Sequence, residues 1–251
     1  MRFKQQARAL KNNEWKKIYM QIQPIAHLEN DFPEKFGLPR QSGLAGHLIS
    51  KIIMEEPYRV RDAFRGIEEF SHLWLLWEFD PLTDQSGESL SWSPTVRPPK
   101  LGGNERKGVF ATRSPNRPNR IGLTLVKLIR IVQNPSDGLV LIVAGADMKS
   151  GTKIYDIKPY LEYADHPEKA SSGFAEDLSE QRMKVCFECI IPEALAEEDR
   201  TMLEEVLSLD PRPGYQQDPT RVYGMSFRNY QVRFRVDQEM VHVLGIEEQN
   251  S

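Results

Sequence analysis

From Arg97 to Gly122 the chain reads RPPKLGGNERKGVFATRSPNRPNRIG, with seven basic residues and one acid, Glu105. Pro98, Pro99, Pro115 and Pro118 hold this stretch extended or turned, while Gly102, Gly103, Gly108 and Gly122 permit tight turns and close backbone approach. A segment so interrupted cannot be a long helix. It reads as a short strand, Lys107 to Thr112, between two cationic loops. Guanidinium groups on stiffened loops suit planar, bidentate recognition of phosphate or carboxylate. The chemistry implied is capture of an anion, with Arg97, Lys100, Arg106, Arg117 and Asn119 as the candidate contacts.

The other chemically suggestive spacing is C-x-x-C at Cys186 and Cys189, the only two cysteines of the chain. Zinc would require two further ligands at matching spacing, and neither a second C-x-x-C nor H-x-x-x-H occurs. The flanking MKVCFECII reads as a strand, where residues three apart face opposite sides. Core packing in a reducing compartment is therefore expected, and no metal. Also missing are a G-x-G-x-x-G opening a helix, G-x-x-x-x-G-K-[ST], G-x-S-x-G and H-E-x-x-H, which removes the common dehydrogenase, kinase and hydrolase readings.

The elements that must position these residues are mostly strands. Tyr19–Ala26, Gly46–Ile53, Ser71–Phe79, Ile121–Val132 and Gly138–Gly145 join Lys107–Thr112 as β-type segments. The nearly continuous apolar run SHLWLLWEF is expected to be buried on both faces. Asn134 to Gly138 is a turn, so the strands around it form a hairpin. One short helical piece, near Arg59–Phe64, lies among them. Parallel strands need long crossovers, usually helical. Their scarcity predicts a mainly β fold: a small antiparallel β-barrel spanning residues 20–165. A polar linker, 166–181, leads to a small α+β C-terminal domain, 182–251, with a strand at Met183–Ile191, a helix from Glu193 to about Leu209, and strands around Val222–Phe227, Tyr230–Val236 and Met240–Leu244. Residues 1–19 read as a basic extension.

Of the 251 residues, 39% are hydrophobic and 27% charged. Residues 1–130 hold 21 Lys/Arg and 14 Asp/Glu, net +7, whereas residues 131–251 hold 12 and 22, net −10. The basic half suits nucleic acid, and the acidic half keeps the whole chain near neutral. No apolar run approaches the roughly 20 residues of a membrane span, and the N-terminus lacks the apolar core of a secretory signal. A cytoplasmic protein is expected.

Five motifs form an ordered set: FPEKFGLPRQSGL (32–44), FRGIEEFSHLWLLWEFD (64–80), RPPKLGGNERKGVFATRSPNRPNRIGLTLV (97–126), DMKSGTKIYDIKPYLEYAD (147–165) and DPRPGY (210–215). Together they resemble the TsaA-like family of β-barrel, S-adenosylmethionine-dependent tRNA methyltransferases, from about Ile22 to the C-terminus. The resemblance implies methylation of N6 of threonylcarbamoyladenosine at tRNA position 37, beside the anticodon. It further implies a homodimer whose cofactor site lies at the protomer interface, and an anticodon stem-loop as partner.

Carried over residue by residue, the resemblance places Pro39, Arg40, Gln41, Asp80, Pro81, Arg113, Leu123, Asp147, Met148, Lys149 and Ser150 at the cofactor. Asp156, Lys158 and Tyr160 would hold the substrate base and carry catalysis. His72 reads as a core histidine. Arg212, Arg221, Arg228, Arg233 and Arg235 would help the C-terminal domain bind tRNA. Two positions depart from the family pattern: Asp80 stands where many relatives have His, and Arg120 replaces a proline. These departures leave room for two other readings, a noncatalytic RNA-binding module and a methyltransferase acting on a protein or small molecule.

Overall fold

The computed structural model describes residues 21–81, 91–98, 105–176, 182–212, 216, 218–238 and 240–249. The basic extension and Lys100 lie outside these residues, as do parts of the linker and of the DPRPGY motif. Among the described residues are twelve strands. The first eight are β1 (Ala26–Glu29), β2 (Ile49–Met54), β3 (His72–Glu78), β4 (Thr95–Val96), β5 (Lys107–Gly108), β6 (Ile121–Asn134), β7 (Gly138–Ala144) and β8 (Lys153–Pro159). Six of them close a barrel in the order β1-β2-β7-β6-β3-β8, every pairing antiparallel, and β4 pairs only with β5.

Alternation drives the closure. On β3, Leu73, Leu75 and Trp77 point inward and are buried, while His72, Trp74, Leu76 and Glu78 are half-buried on the outside. The expectation of burial on both faces therefore fails: among the described residues the outer face of this strand is only partly covered, and His72 lies on that side. Val126 on β6, Leu141 and Val143 on β7, Ile154 on β8, Leu28 on β1 and Ile52 on β2 fill the interior with Leu73, Leu75 and Trp77. A barrel of this size is plugged by its own side chains.

The β6–β7 hairpin is where the turn residues placed it. Asn134 Oδ1 accepts from the Ser136 amide at 3.0 Å, and Gly138 takes φ of 72°, which an L-residue rarely adopts. Gly122 on β6 serves packing instead. It sits opposite Trp77, and a Cβ there would overlap the indole ring.

Several boundaries differ from expectation. The first strand spans Ala26–Glu29, with Ile25 ahead of it already bonded to Ile154 and Glu55, while Tyr19 and Met20 of the expected strand lie outside the described residues. Lys107–Thr112 is only two residues of strand followed by a 3-10 turn, Val109–Ala111, which buries Val109 and exposes Phe110. Strand β8 was hidden in a segment read for its chemistry, although Ile154 and Ile157 mark its inward side.

A second sheet, ordered β10-β11-β12-β9, is formed by β9 (Lys184–Phe187), β10 (Val222–Phe227), β11 (Tyr230–Asp237) and β12 (Met240–Glu248). The last hairpins are antiparallel, whereas β9 runs parallel to β12. The short helix α1 (Glu162–Asp165) follows the barrel, and α2 (Glu197–Ser208) packs Met202, Leu203, Val206 and Leu207 onto the second sheet. Acidic residues Glu197, Glu198 and Asp199 begin α2, where the helix dipole favours them. It starts later than expected, with Pro192 and Leu195 forming a turn ahead of it.

Cys186 is exposed on β9 and Cys189 half-buried against the second core, so core packing holds for Cys189 alone. Burial pushes the Cys189 thiol up. No cluster of potential metal ligands occurs among the described residues, and no described helix is long and apolar enough to cross a membrane.

Replacing Gly122 with alanine should force Trp77 out of its rotamer, lowering stability by about 1–3 kcal/mol. Chemical denaturation followed by tryptophan fluorescence checks this.

Candidate functional site

The barrel interior is filled by side chains, and among the described residues a ligand-sized opening lies at the barrel mouth. A cavity of about 240 Å³ opens there. Its walls come from the end of β3 and the residues after it (Trp77 to Asp80), the turn beyond β7 (Asp147 to Lys149) with Thr152, the β1–β2 connection (Lys35, Leu38 to Arg40), and Pro115 of the cationic loop. Four stretches distant in sequence thus converge because each is a strand end or loop at the same rim.

The rim carries both signs of charge. Asp80 receives Lys35 Nζ and Lys149 Nζ, each at 3.1 Å. Burial pushes the Asp80 carboxyl up, but the hydrogen bonds and charges of the two lysines outweigh it and hold it below the usual carboxylate range. The departure from histidine thus yields a carboxylate shared by two ammonium groups. Asp147 differs. Burial raises it above the usual range, only partly offset by the Thr124 hydroxyl and the charge of Arg113. A relay reaches it from the core: Trp77 Nε1 donates to Thr124 Oγ1 at 2.8 Å, and Thr124 Oγ1 donates to Asp147 Oδ1 at 2.7 Å. Beside it Glu78 accepts from the Tyr155 hydroxyl at 2.7 Å, and the Tyr155 pKa is pushed up to about 12 by burial and by that carboxylate.

Of the eleven residues expected at the cofactor, Pro39, Arg40, Asp80, Asp147, Met148 and Lys149 line this cavity. Arg113 lies at its edge, donating through Nη1 to Gln41 Oε1 at 2.7 Å. Ser150 is behind the wall, its amide donating to the Phe32 carbonyl at 2.8 Å. Pro81 is exposed beyond Asp80. Leu123 is 55% exposed on the outward face of β6, opposite Leu76 on β3, and does not line the cavity.

Asp156, Lys158 and Tyr160 are elsewhere. Asp156 and Lys158 oppose Leu76 and Trp74 on the outside of the barrel and pair with each other at 2.9 Å. Tyr160 lies at the far end, its amide bonded to the His72 carbonyl. Six residues of strand, about 20 Å, separate His72 from the mouth. Within one chain these three do not meet the cavity.

The basic loops edge the mouth. Arg106 donates to the Thr95 side chain at 2.8 Å, and Arg117 Nη1 to the carbonyls of Thr112 and Ser114 at 3.3 and 3.4 Å, so both arginines also brace their own loops. Arg97 and Asn119 are exposed. Trp92 and Phe110, stacked at 6.3 Å, stand on the same surface. Four of the five C-terminal arginines are committed to acids: Arg212 to Asp210, Arg228 to Asp31 and Asp199, Arg233 to Glu247, Arg235 to Asp237. Arg221 lies over the Tyr223 ring at 5.4 Å. Sequence reasoning also missed Lys35, Leu38, Trp77, Glu78, Phe79, Pro115 and Thr152. Lys35 and Leu38 lie inside FPEKFGLPRQ and were legible as neighbours of the PRQ triplet.

Two family models match the chain, tRNA-methyltransferase O N-terminal domain over residues 27–166 and TrmO C-terminal domain over residues 180–249. A tRNA (adenine(37)-N6)-methyltransferase of Escherichia coli is 37% identical over 235 residues, covering 90% of this chain and 97% of the relative. The human protein of the same name is 37% identical over 159 residues, 61% of this chain and 33% of that one. A crystal structure of TrmO from Pseudomonas aeruginosa superposes with a TM-score of 0.73 at 28% identity, covering 94% of this chain and all of the other.

The raised Asp147 carboxyl sets a stability expectation. Its folded pKa lies above the unfolded value, so the ionised form costs stability above the ordinary carboxylate range and nothing once both states are protonated. Asp147→Asn should therefore raise the melting temperature near neutral pH. The gain should vanish as the pH falls to about 3, as thermal denaturation across that range would show.

Proposed function

The chain belongs to the tRNA-methyltransferase O family, and from that premise we propose that it methylates N6 of the adenosine at tRNA position 37 when that nucleotide carries threonylcarbamoyl. It is an S-adenosylmethionine-dependent tRNA methyltransferase. The observation that carries the finer reading is the mouth cavity, which presents ammonium and carboxylate groups together beside a cationic rim.

That donor set fits S-adenosylmethionine, a ligand bearing a carboxylate, an ammonium and a sulfonium. Lys35 and Lys149 suit its carboxylate, and Asp147, less fully paired than Asp80, suits its cationic groups. Trp77 and Phe79, with rings 4.2 Å apart, supply an apolar wall. When bound, the cofactor supplies a methyl group already activated by the sulfonium. The protein's share is then orientation, approach distance and exclusion of water. Arg113 joins the cationic loop to the PRQ segment through its hydrogen bond to Gln41.

The tRNA anticodon stem-loop would meet Arg97, Arg106 and Arg117 at the rim through its phosphates, with salt-dependent affinity. Asp156, Lys158 and Tyr160 serve catalysis in this scheme only from a second protomer. Support for a homodimer comes from the outer barrel face, where the exposed apolar Ile121 and Leu123 adjoin Leu76 and Leu125 beside Asp156 and Lys158. The domain division proposed is a barrel unit that transfers the methyl group and a C-terminal unit that assists tRNA binding. Cytoplasmic residence follows from the substrate.

Purified protein with labelled S-adenosylmethionine should methylate threonine tRNA bearing threonylcarbamoyl. Binding of the cofactor with no transfer to that tRNA would defeat the reading. Arg113→Ala should weaken cofactor binding by about tenfold with little effect on tRNA. Arg117→Ala should weaken tRNA binding and reduce the salt slope by about 1. For the shared site, two inactive variants, Asp147→Ala and Asp156→Ala with Lys158→Ala, should regain activity when mixed as heterodimers. Persistent inactivity of the mixture would assign each site to a single chain.

A further inference from the structure

The segment between β1 and β2, residues 30–48, belongs to the barrel by sequence and to the second sheet by packing. Phe32, Ala45 and Leu48 are buried in the second core, with Phe36 and Leu38 packed against it. Phe32 meets Phe227 edge-on at 5.3 Å, and Phe36 packs beside the stacked pair Tyr223 and Phe234, at 6.4 and 6.3 Å from them. Gly37 takes φ of 97°, and a Cβ there would lie 2.6 Å from Met225 Cε.

Polar contacts tie down the rest of the segment. Asp31 pairs with Arg228, and Ser226 Oγ donates to Glu34 at 2.9 Å. Glu205 on α2 accepts from the amides of Gly46 at 3.1 Å and His47 at 2.8 Å. The Arg40 guanidinium donates to the carbonyls of Asp210 and Arg212. Yet Lys35, Leu38, Pro39 and Arg40 of this segment form one wall of the mouth cavity.

We infer that the C-terminal unit is a structural part of the cofactor site: it holds the 30–48 segment in shape, and Arg40 acts as a positioning residue between that segment and the Asp210–Arg212 turn. This rests on the cavity being the cofactor site. A C-terminal unit that only gripped tRNA would leave cofactor affinity indifferent to substitutions on its side of the contact.

The test uses the full chain. Glu205→Ala removes the acceptor for two amides of the segment without touching the cavity. Ser226→Ala is a milder second variant, and Glu204→Ala, on the exposed face of the same helix, is the control. Calorimetry should show S-adenosylmethionine binding weakened about 3–10-fold in Glu205→Ala and less in Ser226→Ala, because order in the wall is lost before binding. The control should match the parent chain. Amide hydrogen exchange, read without cofactor, should quicken across residues 33–47 in both variants, while tRNA affinity without cofactor stays within about twofold. Unchanged cofactor affinity together with unchanged exchange in residues 33–47, even with a lowered melting temperature, would overturn the inference. If the parent chain bound no cofactor, the proposed function would fail instead, and exchange alone would still decide whether the C-terminal unit orders the segment.

Discussion

A six-stranded barrel has no spare interior. Once Leu73, Leu75, Trp77, Val126, Leu141, Val143 and Ile154 fill it, nothing larger than a side chain fits within. A cavity within one chain must then be built from strand ends and loops at a rim. This constraint explains why the cavity is assembled from four separate stretches of sequence and why its floor is the top of the core. It also explains the value of a glycine at position 122, which lets Trp77 lie flat against β6 and pass a hydrogen bond through Thr124 to Asp147. Core packing and site electrostatics are linked through that one indole.

Charge at the rim is arranged by burial as much as by residue type. Asp80 and Asp147 are both aspartates at one opening, yet the first is drawn down by two lysines and the second driven up by loss of water. The same topology disarms much of the positive charge in the C-terminal unit. Arg212, Arg228, Arg233 and Arg235 all find carboxylates, which leaves less free positive charge there than the sequence suggests.

Much of this was legible beforehand. The succession of β-type segments, the turn at Asn134–Gly138 and the scarcity of helices pointed to an antiparallel barrel. The motif resemblance singled out six residues that the structure gathers around one cavity. What remained hidden was hidden for physical reasons. Whether a strand's outer face is covered depends on a neighbouring layer, which local hydrophobicity does not encode, and so SHLWLLWEF misled. The facing direction of Leu123 and of Asp156 depends on pairing register and on the bulge in β8. Ion pairs such as Arg228 with Asp31 and Asp199 join residues far apart along the chain, and no short-range pattern announces them.

The parallel pairing of β9 with β12 has a consequence for biosynthesis. All six barrel strands have been translated once Pro159 is made, but the second sheet cannot close until Met240–Glu248 emerges. Phe32, Phe36 and Leu38 pack in the core of that second sheet and not in the core of the barrel. The barrel's own pairings are all made by residues 26–159, whereas the wall of its mouth is shaped by a sheet whose strands lie far along the chain, so the mouth is the later and slower part of the fold to form.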